Sequence, residues 1–113
     1  MADCIFCGIA AGEIPSAKVY EDESVLAFRD LEPQAPTHVL IIPKKHIGSL
    51  AEAQEEDLKL LGHIQLCAGK IAEKEGLKNG FRLVSNCGEE AGQSVKHLHY
   101  HLLGGRGFSW PPG

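Results

Sequence analysis

Three histidines occupy alternate positions near the carboxyl end of the sequence, at His97, His99 and His101. Alternation of polar and apolar residues is the period of a β-strand, in which side chains two residues apart project from the same face. The pattern therefore predicts a strand over 97–103, with three imidazoles on one surface and leucine and tyrosine side chains facing a core. Such a row suits two kinds of chemistry: it binds a metal ion, or one histidine catalyses while its neighbours tune it.

A second group with chemical potential is the pair Cys4 and Cys7, which has the close spacing of half a zinc site. Cys67 and Cys87 have no such partner in the sequence. Four cysteines in a reducing compartment are poor candidates for structural disulfides. The pair is therefore interpreted either as a metal site or as two free thiols.

Length and charge restrict the class of protein. We expect the 113 residues to form a single domain, 1–113. The net charge of −4 argues against the basic surface that long nucleic acids require, so a nucleotide ligand should be small and held in a pocket. No apolar run approaches about 18 residues and no signal-peptide pattern is present. These features predict a cytoplasmic protein with no membrane or long nucleic acid partner.

Hydrophobic periodicity predicts the elements that would position these groups. A long helix is expected over 54–75, where apolar residues recur every three or four positions before Gly76. His63 falls on this helix, where we expect a surface or packing role. A short helix is expected over 4–11, with Asp3 as its N-cap. Strands are predicted over 19–22, 25–30, 37–43, 81–86 and 97–103. Strands, one long helix and strands again imply an α+β fold with a mainly antiparallel sheet.

The segments around the histidine row resemble a known family. Gly92 to Val95 precede the row, Pro33 to His38 lie upstream, and Trp110 to Gly113 close the chain. With His97 to Leu103, these segments resemble the histidine triad (HIT) family, and most closely its branch of histidine triad nucleotide-binding proteins, the purine nucleoside phosphoramidases. The resemblance implies a five-stranded antiparallel sheet with one long and one short helix, dimerising edge to edge into a continuous sheet. It implies a purine nucleotide substrate, a nucleoside monophosphate linked to an amine or another leaving group.

The same resemblance assigns catalytic roles. His99 would be the nucleophile that attacks the α-phosphorus, with His97 and His101 as flanking supports. The reaction would pass through a nucleotidyl-histidine, which water then cleaves to release the monophosphate. Ser94 would help to protonate the leaving group.

Nucleotide-binding residues also follow from the resemblance. Asp30 would accept hydrogen bonds from both ribose hydroxyls, and His38 belongs to the same set. Positions beside the phosphate are Asn86, Gln93, Ser94 and His101. Positions of the base slot are Ile5, Phe6, Ile9, Ile14, Phe28 and Leu31, for which an ordinary core role is the alternative. Trp110 would reach the site of the other subunit, although a tail that covers its own domain is equally compatible with composition.

Other members of the superfamily contain a structural metal site, and resemblance to them maps it onto this chain. Its ligands would be Cys4, Cys7, His46 and His97, a Cys₂His₂ set that suits zinc. The zinc ion would tie the short helix to the sheet and leave His99 and His101 to the chemistry. The resemblance implies no organic cofactor.

Three other functions remain open at the level of sequence. One is a dinucleoside polyphosphate hydrolase of the same superfamily. Another is a zinc-dependent hydrolase that uses the histidine row as its metal site. The third is a nucleotide-binding module with little turnover.

Overall fold

Five antiparallel strands form one sheet in the computed structural model, which describes residues 4–113. In the order β1-β2-β3-β5-β4, the strands are β1 (Lys18–Glu21), β2 (Val25–Arg29), β3 (Thr37–Pro43), β5 (Tyr100–Gly104) and β4 (Phe81–Val84). All four pairings are antiparallel. The predicted α+β class and five-stranded antiparallel sheet are therefore confirmed.

Two α-helices accompany the sheet: α1 (Ile5–Ala10) and α2 (Leu58–Lys74). The expected N-cap of the short helix, Asp3, lies outside the described residues, and Cys4 caps α1 by accepting a hydrogen bond at Sγ from the Cys7 N–H. Short 3₁₀ turns precede α2 over Leu50–Glu52 and Glu55–Asp57. The long helix thus begins later than predicted. It ends as predicted, because Gly76 adopts φ +76°. No helix in the described part of the chain is long and apolar enough to cross a membrane.

The central strand β3 is buried on both faces, as its continuous apolar run predicts. One face of the sheet packs on α2 through a cluster that includes Ala27, Val39, Ile41 and Leu102 on the strands and Ile64, Cys67 and Ile71 on the helix. The other face packs on α1, where Phe6 and Ile9 contact a cluster containing Leu26, Phe28, Leu40 and Ile42. His101 pairs with Leu40 and shares its face. The short helix therefore covers the face that carries this histidine.

Strand β5 begins at Tyr100, three residues later than predicted. The main chain bends before it, because the His97 N–H donates to the Val95 carbonyl and the Leu98 N–H donates to the Ile47 carbonyl. His97 and His99 consequently lie outside the sheet, and only His101 lies on a strand. The prediction of three histidines on one regular strand was wrong.

Candidate active site

His99 is buried beside α1, with its orientation set by the main chain. Its Nδ1 lies 2.7 Å from the His97 carbonyl oxygen. Because a carbonyl only accepts hydrogen bonds, Nδ1 carries the hydrogen, and Nε2 of the neutral ring keeps a free lone pair. The Phe6 ring packs against His99 edge to face at 5.1 Å between centroids. The ring is therefore held in one tautomer, with its nucleophilic nitrogen defined.

A chain of hydrogen bonds fixes the tautomer of His101. The Gln34 N–H donates to His38 Nδ1 at 3.0 Å, so the His38 hydrogen is on Nε2. That nitrogen lies 2.9 Å from His101 Nδ1 and 3.4 Å from Asp30 Oδ2. His101 Nδ1 therefore accepts, and its remaining hydrogen is on Nε2. His101 presents a donor where His99 presents a lone pair.

Burial keeps the imidazole rings of His38 and His101 uncharged near neutral pH. Desolvation is the largest cause that lowers the pKa of His101 to about 4, and the nearby His99 and His38 act in the same direction. Desolvation also lowers the pKa of His38, against the opposing effect of Asp30. Both rings are consequently neutral at pH 7.

His97 faces a different group of residues. Its Nε2 donates to the Pro43 carbonyl at 2.8 Å, which leaves the Nδ1 lone pair directed at Cys4 Sγ, 3.3 Å away. Burial lowers its pKa and favours this neutral form. Among residues 4–113, no group of three potential metal ligands joins two of the three histidines in the row. This arrangement argues against a metal centre built from the row itself.

The residues that the sequence suggests for zinc do come together. Potential ligand atoms of Cys4, Cys7, His46 and His97 all lie within 4.8 Å of one another. Cys7 Sγ is 3.2 Å from His46 Nδ1 and 3.6 Å from His97 Nδ1. Tetrahedral zinc, with bonds of about 2.3 Å to sulfur and 2.0 Å to nitrogen, places sulfur and nitrogen about 3.5 Å apart. The donor set and its spacing therefore fit this ion.

An apolar cleft of about 170 Å³ lies between α1 and β2. Of the suggested base-slot residues, it is lined by Ile5, Phe6, Ile9, Phe28 and Leu31, and Asp30 lies at the same cleft. Ile14 does not line it and packs over Gly8 instead, where an added Cβ would lie 2.6 Å from Ile14 Cδ1. Leu31 is 96% exposed, so an ordinary core role does not apply to it. The cleft is smaller than the roughly 300–1,000 Å³ of sites that enclose a whole ligand, and suits one ring system.

Gln93 differs from its suggested role beside a phosphate. Its Nε2 donates to the carbonyls of Gly48 and Val95, and its Oε1 accepts from the Gly88 N–H. The Gln93 N–H donates to the Gly88 carbonyl. No donor is left for a phosphate, so Gln93 instead braces the loop before His97. Ser94 is exposed beside His46 and Lys96 at a second cleft, which adjoins the apolar cleft at Ile5, and Asn86 is half-buried after β4.

The carboxyl-terminal tail is attached through Phe108 rather than through its tryptophan. The Phe108 ring lies between the guanidinium groups of Arg82 and Arg106, at 5.1 and 4.3 Å. The Arg82 side chain also donates to the Ser109 carbonyl. Trp110 is 81% exposed and does not cover its own domain.

Several groups that orient the site were missed by sequence reasoning. They are the Pro43 carbonyl on His97, the Gln34 N–H on His38, and the Ser85 hydroxyl, which donates to the His99 carbonyl at 3.2 Å. Two of these are main-chain groups, for which side-chain type carries no signal. Ser85 lies in a segment predicted to be strand, and its distance from His99 in the sequence hides the contact.

Comparison with known proteins shows the family of this chain. A family model described as "Scavenger mRNA decapping enzyme C-term binding" matches residues 3–107. An uncharacterized HIT-like protein of Synechocystis sp. is 57% identical over 111 residues, which cover 98% of this chain and 97% of the relative. The chain belongs to the HIT family.

Two further proteins are similar to this chain over nearly its whole length. A 14 kDa zinc-binding protein of Zea mays is 55% identical over 111 residues, covering 96% of this chain and 87% of that protein. The crystal structure of a HIT family hydrolase from Legionella pneumophila superposes with a TM-score of 0.96 at 54% identity, covering 98% of this chain and all of that one. This superposition confirms the HIT fold and supports a hydrolase of the HIT family.

Proposed function

We propose that this HIT protein is a nucleotide-binding hydrolase that cleaves purine nucleoside phosphoramidates or adenylates and releases the nucleoside monophosphate. The observation that carries the proposal is the Nδ1–H of His99 on the His97 carbonyl, which reserves Nε2 as a nucleophile. The resemblance of the sequence to purine nucleoside phosphoramidases supplies the class of substrate.

In the first step, His99 Nε2 attacks the α-phosphorus and the bond from phosphorus to the leaving-group nitrogen breaks. The departing amine gains a proton from solvent, passed on by the Ser94 hydroxyl, while the His101 Nε2–H donates a hydrogen bond to a phosphoryl oxygen. The imidazole becomes positively charged as the new phosphorus–nitrogen bond forms. The His97 carbonyl, 2.7 Å from Nδ1, stabilises that charge.

In the second step, water attacks the phosphorus of the nucleotidyl-His99. The bond to Nε2 breaks, His99 leaves as a neutral imidazole, and the proton of the attacking water returns to solvent. Asp30 is proposed to accept hydrogen bonds from the ribose hydroxyls, because it lines the cleft and its Oδ2 lies 3.4 Å from His38 Nε2. The apolar cleft would hold the base.

Substitution of the nucleophile tests this function. His99→Ala should lower the rate of hydrolysis of an adenosine phosphoramidate by about three orders of magnitude or more, because only binding and positioning remain. It should still bind AMP. Lys70→Ala, on the exposed side of α2, is the control and should keep wild-type turnover. Retained turnover in His99→Ala would contradict the proposal, and AMP binding without turnover in the wild type would favour a binding module.

A second measurement separates this function from its closest alternative. Quenching with denaturant at alkaline pH during turnover should trap a nucleotide on His99, because the phosphorus–nitrogen bond is stable to base, and peptide mass spectrometry detects it. A dinucleoside polyphosphate belongs in the same substrate panel, because the same nucleophile would cleave it. A higher kcat/KM for that compound than for the phosphoramidate would assign the chain to the polyphosphate hydrolases.

We also propose that Cys4, Cys7, His46 and His97 hold a structural zinc ion, a proposal supported by their spacing and by the zinc-binding relative from maize. Bound zinc would supply a cross-link between the start of α1 and the segment before β5. These four residues would fix the main chain that presents the His97 carbonyl to His99. Metal analysis of purified wild type should find close to one equivalent at this set, and Cys4→Ser should lose it. Less than about a tenth of an equivalent in the wild type would end the hypothesis.

A further inference from the structure

A second group of potential metal ligands lies on the other side of the sheet, at the start of the β1–β2 hairpin turn. It consists of Asp22 in that turn and of His63 and Cys67 in α2. The two helical residues are four apart and therefore lie on the same face of the helix. His63 Nε2 is 2.7 Å from Asp22 Oδ2 and 3.6 Å from Cys67 Sγ.

The geometry differs from that of a catalytic relay. In a cysteine–histidine–aspartate relay, the carboxylate and the thiol contact different nitrogens of the imidazole, so that a proton can pass through the ring. Here the same nitrogen, His63 Nε2, faces both Asp22 and Cys67. Three ligand atoms that converge on one point are the arrangement a metal ion requires.

Local hydrogen bonds prepare Asp22 for this role. Its Oδ1 accepts from the N–H groups of Ser24 and Val25, which fixes the carboxylate and directs Oδ2 towards α2. The Tyr20 hydroxyl donates to Oδ2 at 2.6 Å. The carboxylate is thus oriented before any ion arrives.

We propose that Asp22 Oδ2, His63 Nε2 and Cys67 Sγ form a second metal site, which binds one zinc-like divalent cation. A thiolate and an imidazole select such an ion over magnesium or calcium, which prefer oxygen ligands. Cys67 is 2% exposed and closes the inner side, whereas the His63 side chain is 42% exposed and leaves a path for the ion and a position for water.

Metal binding requires one interatomic distance to widen and two protons to move. The sulfur–nitrogen distance of 3.6 Å already matches tetrahedral zinc, while the 2.7 Å between Asp22 Oδ2 and His63 Nε2 must widen to about 3.3 Å. The ion replaces the hydrogen bond between these two atoms, the hydrogen of the neutral imidazole moves to Nδ1, and Cys67 releases its thiol proton to solvent.

Cobalt(II) is the probe that detects this site separately from the other cysteines, because a thiolate ligand gives it a charge-transfer absorption band. The Cys4→Ser/Cys7→Ser double variant should bind one equivalent with such a band. Adding Cys67→Ala should abolish the band, whereas adding Cys87→Ala should not. His63→Ala should weaken cobalt binding by at least about tenfold, or 1.4 kcal/mol. A band that persists without Cys67, or no cobalt binding in the double variant, would overturn the proposal.

A measurement on the full chain covers the case in which the double variant does not fold. Native mass spectrometry after incubation with zinc should show one zinc more in the wild type than in His63→Ala, whether or not the Cys4–Cys7 site is loaded. Gln65→Ala, an exposed neighbour on α2, should match the wild type. Equal zinc content in wild type and His63→Ala would contradict a second site.

Discussion

The three histidines of the row share a side chain but differ in where each carries its hydrogen. His97 donates through Nε2 and His99 through Nδ1, each to a main-chain carbonyl, while His101 accepts through Nδ1 from another histidine. The remaining nitrogen is therefore Nδ1 with a lone pair in His97, Nε2 with a lone pair in His99, and Nε2 with a hydrogen in His101. The roles proposed for the row, as metal ligand, nucleophile and hydrogen-bond donor, thus depend on the partner of each ring, which is the Pro43 carbonyl, the His97 carbonyl and His38 in turn.

The contact between His38 and His101 leads to a prediction about positioning. His38→Leu removes the donor to His101 Nδ1 and should lower kcat about threefold to tenfold, the value of one hydrogen bond of about 0.5–1.5 kcal/mol. His38→Gln restores a donor and should recover part of the loss, which steady-state hydrolysis of an adenosine phosphoramidate measures. Equal rates for His38→Leu and wild type would show that this bond does not position His101.

The pKa of His101 predicts how stability depends on pH. In the unfolded chain this histidine titrates near its usual value of about 6.5, whereas burial lowers its folded pKa to about 4. As pH falls between these values, the unfolded state gains the proton first, so the free energy of unfolding falls by up to about 1.4 kcal/mol per pH unit. The stabilisation is complete above about pH 6.5 and is lost towards pH 4.

Urea unfolding at about pH 7, 5.5 and 4.5 measures this loss. In His101→Asn the free energy of unfolding should depend less steeply on pH than in the wild type. The slope should be smaller by up to the value for one proton, about 1.4 kcal/mol per pH unit. Lys70→Ala should keep the wild-type slope. An unchanged slope in His101→Asn would mean that its folded and unfolded pKa values are equal.

Among the secondary-structure elements, the sequence predicted those whose pattern is set by burial. It did not predict where local main-chain hydrogen bonds end a strand. The apolar run of β3 and the stripe of α2 were placed correctly, since periodicity directly reports which face is buried. Strand β5 was extended too far towards its amino end because alternation continues through His97, while the bonds of that segment to Val95 and Ile47 bend the chain. The segment that carries His97 and His99 is therefore a loop held by main-chain hydrogen bonds, which residue alternation does not distinguish from a strand.

Gly105, directly after β5, tests how tightly this end of the sheet is packed. Its φ is +90°, and an added Cβ would lie 2.8 Å from Cβ of Pro36, whose ring cannot move aside easily. Gly105→Ala should therefore lower the free energy of unfolding by about 2 kcal/mol. Gly69→Ala, in the exposed interior of α2 with open space around it, should raise it by about 1 kcal/mol. Chemical denaturation measures both, and equal effects would contradict the packing argument.

For the whole molecule, the two edges of the sheet differ in how they are protected. Edge strand β1 carries the charged residues Lys18 and Glu21 and an irregular register, features that discourage pairing with another chain. The other edge, β4, begins at Phe81, which is 45% exposed. Trp110 extends into solvent from the same side, where Arg82 of β4 binds the tail at Ser109. We therefore propose that two copies pair through β4, which would bring each tail to the other copy.

Charge placed at β4 should separate such a dimer. Phe81→Lys puts like charges near each other in a pairing of two β4 strands, so light scattering should report the mass of one chain where the wild type has that of two. Leu66→Lys makes the same change from apolar to charged on the exposed face of α2 and should remain dimeric. If Trp110 completes the partner's site, Phe81→Lys and Trp110→Ala should change kcat/KM among leaving groups in the same way. A Leu66→Lys variant that dissociates while Phe81→Lys does not would assign the interface to α2 instead.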